Sequence, residues 1–294
     1  MDDMKSTPAE LLDVVVATDG SADADLAVDW AAEEAMRRSA SLLILSACGL
    51  HPEAGDPGSG TLDIVDRAAD RVRRHFPGIQ VETKVVQGDP RDALEEYQDR
   101  ASLVVLGSRG TNALRTVWLG SVTSWATRHL HVPTVIVRPL AGAGQRSVGG
   151  IAVGVDGGDP DSALRVAFEM AAHRRIPLTI GHAWWDVESP DARWRSVDPA
   201  AVEAERSRFV RDVVERVAPD FPDVTFTLAF GRGSVVAFLL DLARTRDALV
   251  IGRRPSAPFD ARGLGTIASA VVEHARGVTV VVPETAPTSK GGRR

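Results

Sequence analysis

The amino-acid sequence repeats itself, and the repeat decides the fold. Residues 11–47, LLDVVVATDGSADADLAVDWAAEEAMRRSASLLILSA, align with residues 148–183, VGGIAVGVDGGDPDSALRVAFEMAAHRRIPLTIGHA, so that Asp19 matches Asp156. The match continues with ASLVVLGSRG at 101–110 against DALVIGRRP at 247–255, and with HVPTVIVRP at 131–139 against GVTVVVPE at 277–284. Because the repeat carries the same motifs in the same order, each half is predicted to be a complete domain.

Short β-branched runs alternate with longer amphipathic segments inside each half. In the first half, strands are predicted at 14–18, 42–47, 79–86, 103–107 and 134–137, with helices between them. Runs such as VVVAT and LVVLG are apolar throughout, which indicates strands buried on both faces. The predicted fold class is therefore α/β, with two tandem Rossmann-like domains, each a parallel sheet with helices on both faces. Ligands of such sheets bind beyond the carboxyl ends of the strands, so a site is expected in the loops after the first and fourth strands.

The domain boundaries follow from the point where the repeat restarts. The first domain is predicted at 1–140 and the second at 148–294. Between them, residues 141–147 belong to a stretch rich in glycine and small residues, LAGAGQRSVGG, which has the composition of a linker. The tail after about residue 285 is short, polar and basic, and is predicted to be disordered.

The loop after the fourth strand has the composition of a phosphate site. It reads Gly107-Ser-Arg-Gly110, then nine residues, then Gly120-Ser121 at the start of a helical segment. Glycines allow close approach of the backbone to a ligand, and a helix that opens on a Gly-Ser pair leaves N–H groups aimed at an anion. Further hydrogen bonds or charge are expected from four side chains of this region: Ser121, Ser124, Arg109 and Arg115.

A carboxylate is expected beside the same crevice. Asp19 follows the first strand in the sequence Thr-Asp-Gly-Ser, and Ser21 is suited to cap the next helix. Asp19 has three interpretations that the sequence leaves open: it accepts a ribose hydroxyl, it helps to hold a metal ion, or it is a turn and capping residue.

These motifs together resemble those of the universal stress protein family. The likeness rests on G-x2-G-x9-G-S after an LVVLG strand, on ATDGS after the first strand and on VPTVIV near the end of the domain, and it covers both halves. It implies a five-stranded parallel sheet in the order 3-2-1-4-5, ATP bound in the crevice together with Mg²⁺, and assembly through the fifth strand. By motif match, Asp19 is expected near the ribose, Ala47 near adenine, and the phosphates among four residues: Gly107, Gly110, Gly120 and Ser121.

The second half keeps most of this pattern. The matching residues are Asp156, Ala183, Gly252, Gly265 and Thr266. It departs at Pro255, which stands where the first half has Gly110. Proline has no N–H and cannot adopt a positive φ, so a second nucleotide site is expected to be weakened if either property is needed. Whether the second site binds is left open.

Composition and missing motifs exclude several classes of protein. A net charge of -6 argues against a nucleic-acid partner, and the polar start and the lack of a long apolar run argue for a cytoplasmic protein without a membrane segment. The P-loop motif G-x4-G-K-[ST] is missing, which disfavours rapid ATP hydrolysis, and the dinucleotide motif G-x-G-x-x-G does not follow the first strand. Cys48 is interpreted as a small core residue, Ser234 as a helix cap, and all seven histidines as helix-end or surface residues. Three tryptophans have three open interpretations: they contact a partner, they cover the nucleotide, or they pack over the edge of the sheet. These are Trp184, Trp185 and Trp194.

The leading hypothesis is an ATP-binding protein with a regulatory or stress-response role and no catalytic residue. Two alternatives stay open: a slow ATPase or phosphotransferase that uses the same crevice, and a nucleotide-free structural dimerisation protein. The expected ligand is ATP, and the two domains are expected to pair with each other through their fifth strands. Expected protein partners are a further copy of the chain and a regulatory protein that the sequence does not identify.

Overall fold

A computed structural model describes residues 12–49, 59–110, 119–140, 149–156, 160–184, 199–254 and 263–284. The chain divides into two compact units, Met1–Arg138 and Pro139–Arg294. The predicted linker at 141–147 and the predicted tail lie outside the described residues. In the described ranges, every helix is too short or too polar to cross a lipid bilayer.

The first unit alternates strands and helices throughout. In chain order its elements are β1 (Leu12–Ala17), α1 (Ala22–Arg38), β2 (Leu42–Cys48), α2 (Ser59–His75), β3 (Val81–Gln87), α3 (Pro90–Gln98), β4 (Ala101–Gly107), α4 (Ser121–His129) and β5 (Thr134–Val137). The predicted strands are found within two residues of their predicted limits.

Five parallel strands form the sheet of this unit in the order β3-β2-β1-β4-β5. One face packs against α1 and α2, and the other against α3 and α4. Val14, Val15 and Val16 are fully buried because β1 lies in the middle of the sheet with helices on both faces. The predicted α/β fold class and strand order are confirmed.

The second unit has the same architecture. Its elements are β6 (Ile151–Gly154), α5 (Asp161–Arg174), β7 (Leu178–Trp184), α6 (Pro199–Val217), β8 (Phe226–Arg232), α7 (Val235–Thr245), β9 (Ala248–Arg253), α8 (Thr266–His274) and β10 (Val278–Pro283). Its parallel strands lie in the order β8-β7-β6-β9-β10.

Candidate functional site

A crevice of about 600 Å³ opens at the carboxyl ends of β1 and β4 in the first unit. These neighbouring strands continue into helices on opposite faces of the sheet, so their loops diverge and leave space between them. Its described lining residues are Ala17, Thr18, Asp19, Ala24, Leu45, Ser46, Ala47, Pro90, Ala93, Leu106, Gly107, Arg109, Gly110, Gly120, Ser121, Val122 and Thr123. This set contains every first-half residue predicted to contact a ligand except Ser124, which lies farther along α4, and Arg115, which is outside the described residues.

Hydrogen bonds join the two loops that border this first crevice. Asp19 Oδ1 accepts the Ser21 N–H at 3.0 Å, so the turn interpretation of Asp19 describes one of its contacts. Ser21 caps α1, because its Oγ accepts the Ala24 N–H at 3.2 Å, and the same hydroxyl donates to the Arg109 carbonyl oxygen at 3.2 Å. The loop after β1 is thereby fixed to the loop after β4.

Gly110 lies directly over the Asp19 carboxylate. A Cβ atom placed on Gly110 would be 2.5 Å from Asp19 Oδ2. Any side chain at residue 110 would therefore push the Asp19 carboxylate away from its place in the crevice. Gly110 is explained here by close approach to another residue of the chain, without reference to a ligand.

Gly107 has a different reason to be glycine. A Cβ atom on it would lie 2.7 Å from the carbonyl carbon of Asp23 and 2.8 Å from the backbone nitrogen of Ala24. These backbone atoms belong to the first turn of α1, so a side chain at residue 107 would separate α1 from the end of β4. Gly107 lines the first crevice, and its missing side chain serves helix packing.

The start of α4 forms the polar end of the first crevice. Gly120 is its N-cap, with φ -67° and ψ 153°, and no side chain caps this helix. The Gly120 N–H donates to the Ser108 carbonyl oxygen at 2.8 Å, and the first helical bond runs from Ser124 N–H to the Gly120 carbonyl oxygen at 2.8 Å. The N–H groups of the first turn precede this bond and have no acceptor within the helix, which favours an anion there.

The other end of the first crevice is apolar. Leu45 and Ala47 come from the end of β2, Ala93 from α3, and Leu106 from β4. Small side chains at 47 and 93 leave the space between sheet and α3 open. The first crevice therefore joins an apolar wall to a positively polarised helix terminus.

A buried polar cluster beneath the first crevice was missed by the sequence analysis. Asp23 is 9% exposed, and its Oδ2 accepts the Ser108 hydroxyl at 2.6 Å and Arg109 Nε at 3.3 Å. Arg109, predicted to offset phosphate charge, thus has an acidic partner within the chain. A signal was present in the repeat: where the first half has Asp23 and Ser108, the second half has Pro160 and Arg253, so both partners change together.

A second crevice, of about 370 Å³, occupies the equivalent place in the second unit. All five residues predicted for it line it, and its described lining residues are Gly154, Val155, Asp156, Pro160, Ala163, Gly181, Ala183, Val235, Leu239, Ile251, Gly252, Arg254, Leu264, Gly265, Thr266, Ile267, Ala268 and Glu284. Arg254 lies between two carboxylates, with Nη2 3.4 Å from Asp156 Oδ1 and Nε 3.7 Å from Glu284 Oε1. Next to it, burial lowers the pKa of Arg253. Pro255 lies outside the described residues.

His182 corrects the interpretation of the histidines as helix-end or surface residues. It lies on β7, is 5% exposed, and its Nδ1 contacts the Val155 carbonyl oxygen at 2.7 Å. Ser46 occupies the equivalent position and donates to the Thr18 carbonyl oxygen at 2.7 Å. Each side chain therefore tethers the end of the first strand of its unit. His75, His129, His173 and His274 do lie in the last turns of helices.

The remaining sequence interpretations have mixed outcomes. Ser234 caps α7 as predicted, because its Oγ accepts the Ala237 N–H at 3.2 Å. Cys48 is half-buried at the end of β2 rather than fully in the core. Trp184 packs at the end of β7 near the rings of His182 and Phe230. Trp185 and Trp194 lie outside the described residues.

The described residues contain no group of three or more His, Cys, Asp or Glu side chains that could hold a metal ion.

Comparison with known proteins gives the same family for both halves. A model of the universal stress protein family matches residues 12–138 and 149–283. Universal stress protein Rv1996 of Mycobacterium tuberculosis is 26% identical to this chain over an alignment that covers 92% of this chain and 94% of that protein. Universal stress protein Rv2005c of the same organism is 27% identical over an alignment that covers 94% of this chain and 98% of that protein.

A solved structure with the same fold is known. A crystal structure of a universal stress protein from Archaeoglobus fulgidus superposes with a TM-score of 0.65 at 16% identity, covering 92% of this chain and 96% of that one. A universal stress protein solved in complex with cAMP is 30% identical over a segment that covers 43% of this chain and 97% of that one, with a TM-score of 0.36. The two family matches, one in each unit, show that this chain belongs to the universal stress protein family and contains the family's domain twice.

Proposed function

We propose that the first crevice binds ATP and that its occupancy serves a regulatory, stress-related role. The observation that carries the proposal is the polarity of this crevice, which has an apolar wall at one end and the uncapped start of α4 at the other. A nucleotide has the same division, with an apolar base and an anionic phosphate chain. A crevice of about 600 Å³ falls in the range of ordinary ligand pockets.

Each part of ATP has a partner among the described residues. The base would lie against Leu45, Ala47 and Ala93, where small and aliphatic side chains leave a flat apolar space. The ribose would lie near Asp19, whose carboxylate can accept hydrogen bonds from its hydroxyl groups. The phosphates would lie at the first turn of α4, where backbone N–H groups and the Ser121 hydroxyl can donate.

Mg²⁺ would enter with the nucleotide. Asp19 is the one carboxylate among the described residues that line the first crevice. A single carboxylate with phosphate oxygens and water is the usual way in which proteins hold this ion. Asp19 would thus contact both the ribose and the metal ion, or contact one of them at a time.

A regulatory role requires ATP to favour one conformation over another. The bond from Ser21 to the Arg109 carbonyl oxygen joins the two loops that the nucleotide would touch. A ligand that moves either loop therefore acts on the other, and this coupling would pass occupancy to a partner surface.

The test measures bound nucleotide directly. Freshly purified protein is denatured, and the released nucleotide is identified by chromatography and divided by the protein concentration. ATP in the supernatant supports the proposal. Accumulated ADP favours the slow ATPase, and no nucleotide, followed by no binding of added ATP, favours the structural protein.

Gly120→Val locates the site. The backbone of Gly120 has φ -67°, and a Cβ atom there meets nothing nearer than the Ser108 carbonyl oxygen at 3.5 Å, so the fold should tolerate valine. The branched side chain would fill the phosphate end, and we expect nucleotide binding in the first crevice to be abolished. Gly60→Val, in the exposed first turn of α2, is the control and should bind normally. Unchanged affinity in the Gly120 variant would remove the phosphate assignment.

A further inference from the structure

The two crevices occupy equivalent places but differ in volume, and the helix that follows the third strand differs between the two units. Ala93 and Phe238 each stand four residues after the N-cap of the helix that follows the third strand of their unit. In the first unit this position carries a methyl group that lines the first crevice. In the second unit it carries the phenyl ring of Phe238, which packs on the sheet and is not among the described residues that line the second crevice.

Two strands of the second unit have glycine at the positions on which that ring packs. A Cβ atom on Gly231 would be 2.5 Å from Phe238 Cδ2, and one on Gly181 would be 2.9 Å from Phe238 Cε1. The first half has Val86 and Leu45 at these two places. Side-chain volume is therefore smaller in the sheet and larger in the helix than in the first unit, and the ring needs the two glycines to fit.

The neighbouring residue of α7, Leu239, is leucine in both halves, because Leu94 is its equivalent in the first. Only the leucine of the second unit is among the described residues that line a crevice. Leu239 lines the second crevice, and a Cβ atom on Gly154 would be 2.8 Å from Leu239 Cδ2. In the first half, Ala17 stands where Gly154 is. Leu239 of α7 therefore lies at the apolar end of the second crevice, where the base would lie in the first.

The polar end differs as well. The described lining of the first crevice carries Asp19 and Arg109, whereas that of the second carries Asp156, Glu284 and one arginine. The described lining of the second crevice is thus more acidic by one charge, and its Arg254 contacts both Asp156 and Glu284. A polyphosphate would have to compete with these carboxylates for the arginine and would meet repulsion from Glu284.

We infer that the two crevices have diverged in specificity, so that the chain takes one nucleotide, in the first crevice, and that Leu239 and Glu284 exclude a nucleoside triphosphate from the second. The inference rests on the proposed function. It differs from the sequence-based expectation, which attributed a weakened second site to Pro255 alone.

The experiment is titration of the full chain with Mg·ATP by isothermal calorimetry, after removal of any co-purified nucleotide. We expect one ATP per chain. The matched variants Asp19→Asn and Asp156→Asn then show which crevice holds the nucleotide. Asp19→Asn should weaken ATP binding about tenfold or more, as expected for loss of a charged hydrogen-bonding group. Asp156→Asn should leave the affinity for ATP and the stoichiometry unchanged.

Pro255→Gly separates the two explanations of the second crevice. This variant restores the glycine pattern of the first half, and we expect the stoichiometry to stay at one because Leu239 and Glu284 are still present. A second ATP bound by this variant would overturn their assigned role.

The other outcomes are distinct. Two ATP per wild-type chain, or a single ATP lost in Asp156→Asn and kept in Asp19→Asn, would overturn the inference and leave ATP binding standing. No ATP bound by the wild-type chain would overturn the proposed function, and the inference with it.

Discussion

Gly107→Ala tests whether close packing, rather than ligand binding, requires glycine at the end of β4. The new methyl group would lie 2.7 Å from the Asp23 carbonyl carbon and 2.8 Å from both the Asp23 oxygen and the Ala24 nitrogen. These are backbone atoms of a helix packed on the sheet, so they cannot rotate away as a flexible side chain would. Overpacking of this kind costs about 1–3 kcal/mol, and contact with three backbone atoms places this case near 2 kcal/mol.

The repeat supplies a matched control. Gly252 ends β9 as Gly107 ends β4, but a Cβ atom on it would meet only the Ala163 Cβ at 3.9 Å, an ordinary contact. Because alanine restricts the unfolded chain more than glycine does, Gly252→Ala should leave stability unchanged or raise it by about 0.5 kcal/mol.

Two measurements compare Gly107→Ala with Gly252→Ala. Urea unfolding followed by circular dichroism gives the free energy of unfolding of each variant against wild type. Hydrogen exchange followed by mass spectrometry should show faster exchange in the first turn of α1 in Gly107→Ala alone, because that turn has to move. If the two variants unfold within about 0.5 kcal/mol of each other, the packing explanation of Gly107 is wrong.

Two further stability predictions follow from buried contacts. Ser108→Ala removes the hydroxyl that donates to the buried Asp23 carboxylate, and should cost about 1–2 kcal/mol in urea unfolding. Adding Asp23→Ala should then cost less than Asp23→Ala does alone, and fully additive losses would show that the pair does not interact. Phe238→Ala leaves an unfilled space above Gly181 and Gly231, and should lower the free energy of unfolding by about 3 kcal/mol. A loss below about 1 kcal/mol would show that the ring is not packed on the glycines.

The amino-acid sequence by itself determined the fold class and the place of the first crevice. Apolar strands such as 103–107 are local signals, and their repetition in the second half doubled the evidence for each element. The loops after β1 and β4 could be paired in advance, because the carboxyl ends of parallel strands meet at one edge of the sheet. Asp19, Gly110 and Gly120 were therefore placed together before their contacts were known.

Only the tertiary structure decided what those residues touch. Ser108 and Asp23 are 85 positions apart, and no local pattern states that a helix residue and a loop hydroxyl will share a hydrogen bond. Gly107 and Gly110 look alike in a motif, yet one makes room for the backbone of α1 and the other for the Asp19 carboxylate.

The packing around the second crevice could not be predicted from the sequence either. Pro255 was visible in the sequence as a departure from the repeat, whereas the exchange between Phe238 and the glycines of the neighbouring strands was not. Each of those substitutions appears unremarkable alone, because packing depends on the combined volume of side chains from separate elements that meet only in the folded chain. The sequence determined where each crevice lies, and only the folded chain shows that Phe238 and Leu239 of α7 pack against glycines of the sheet.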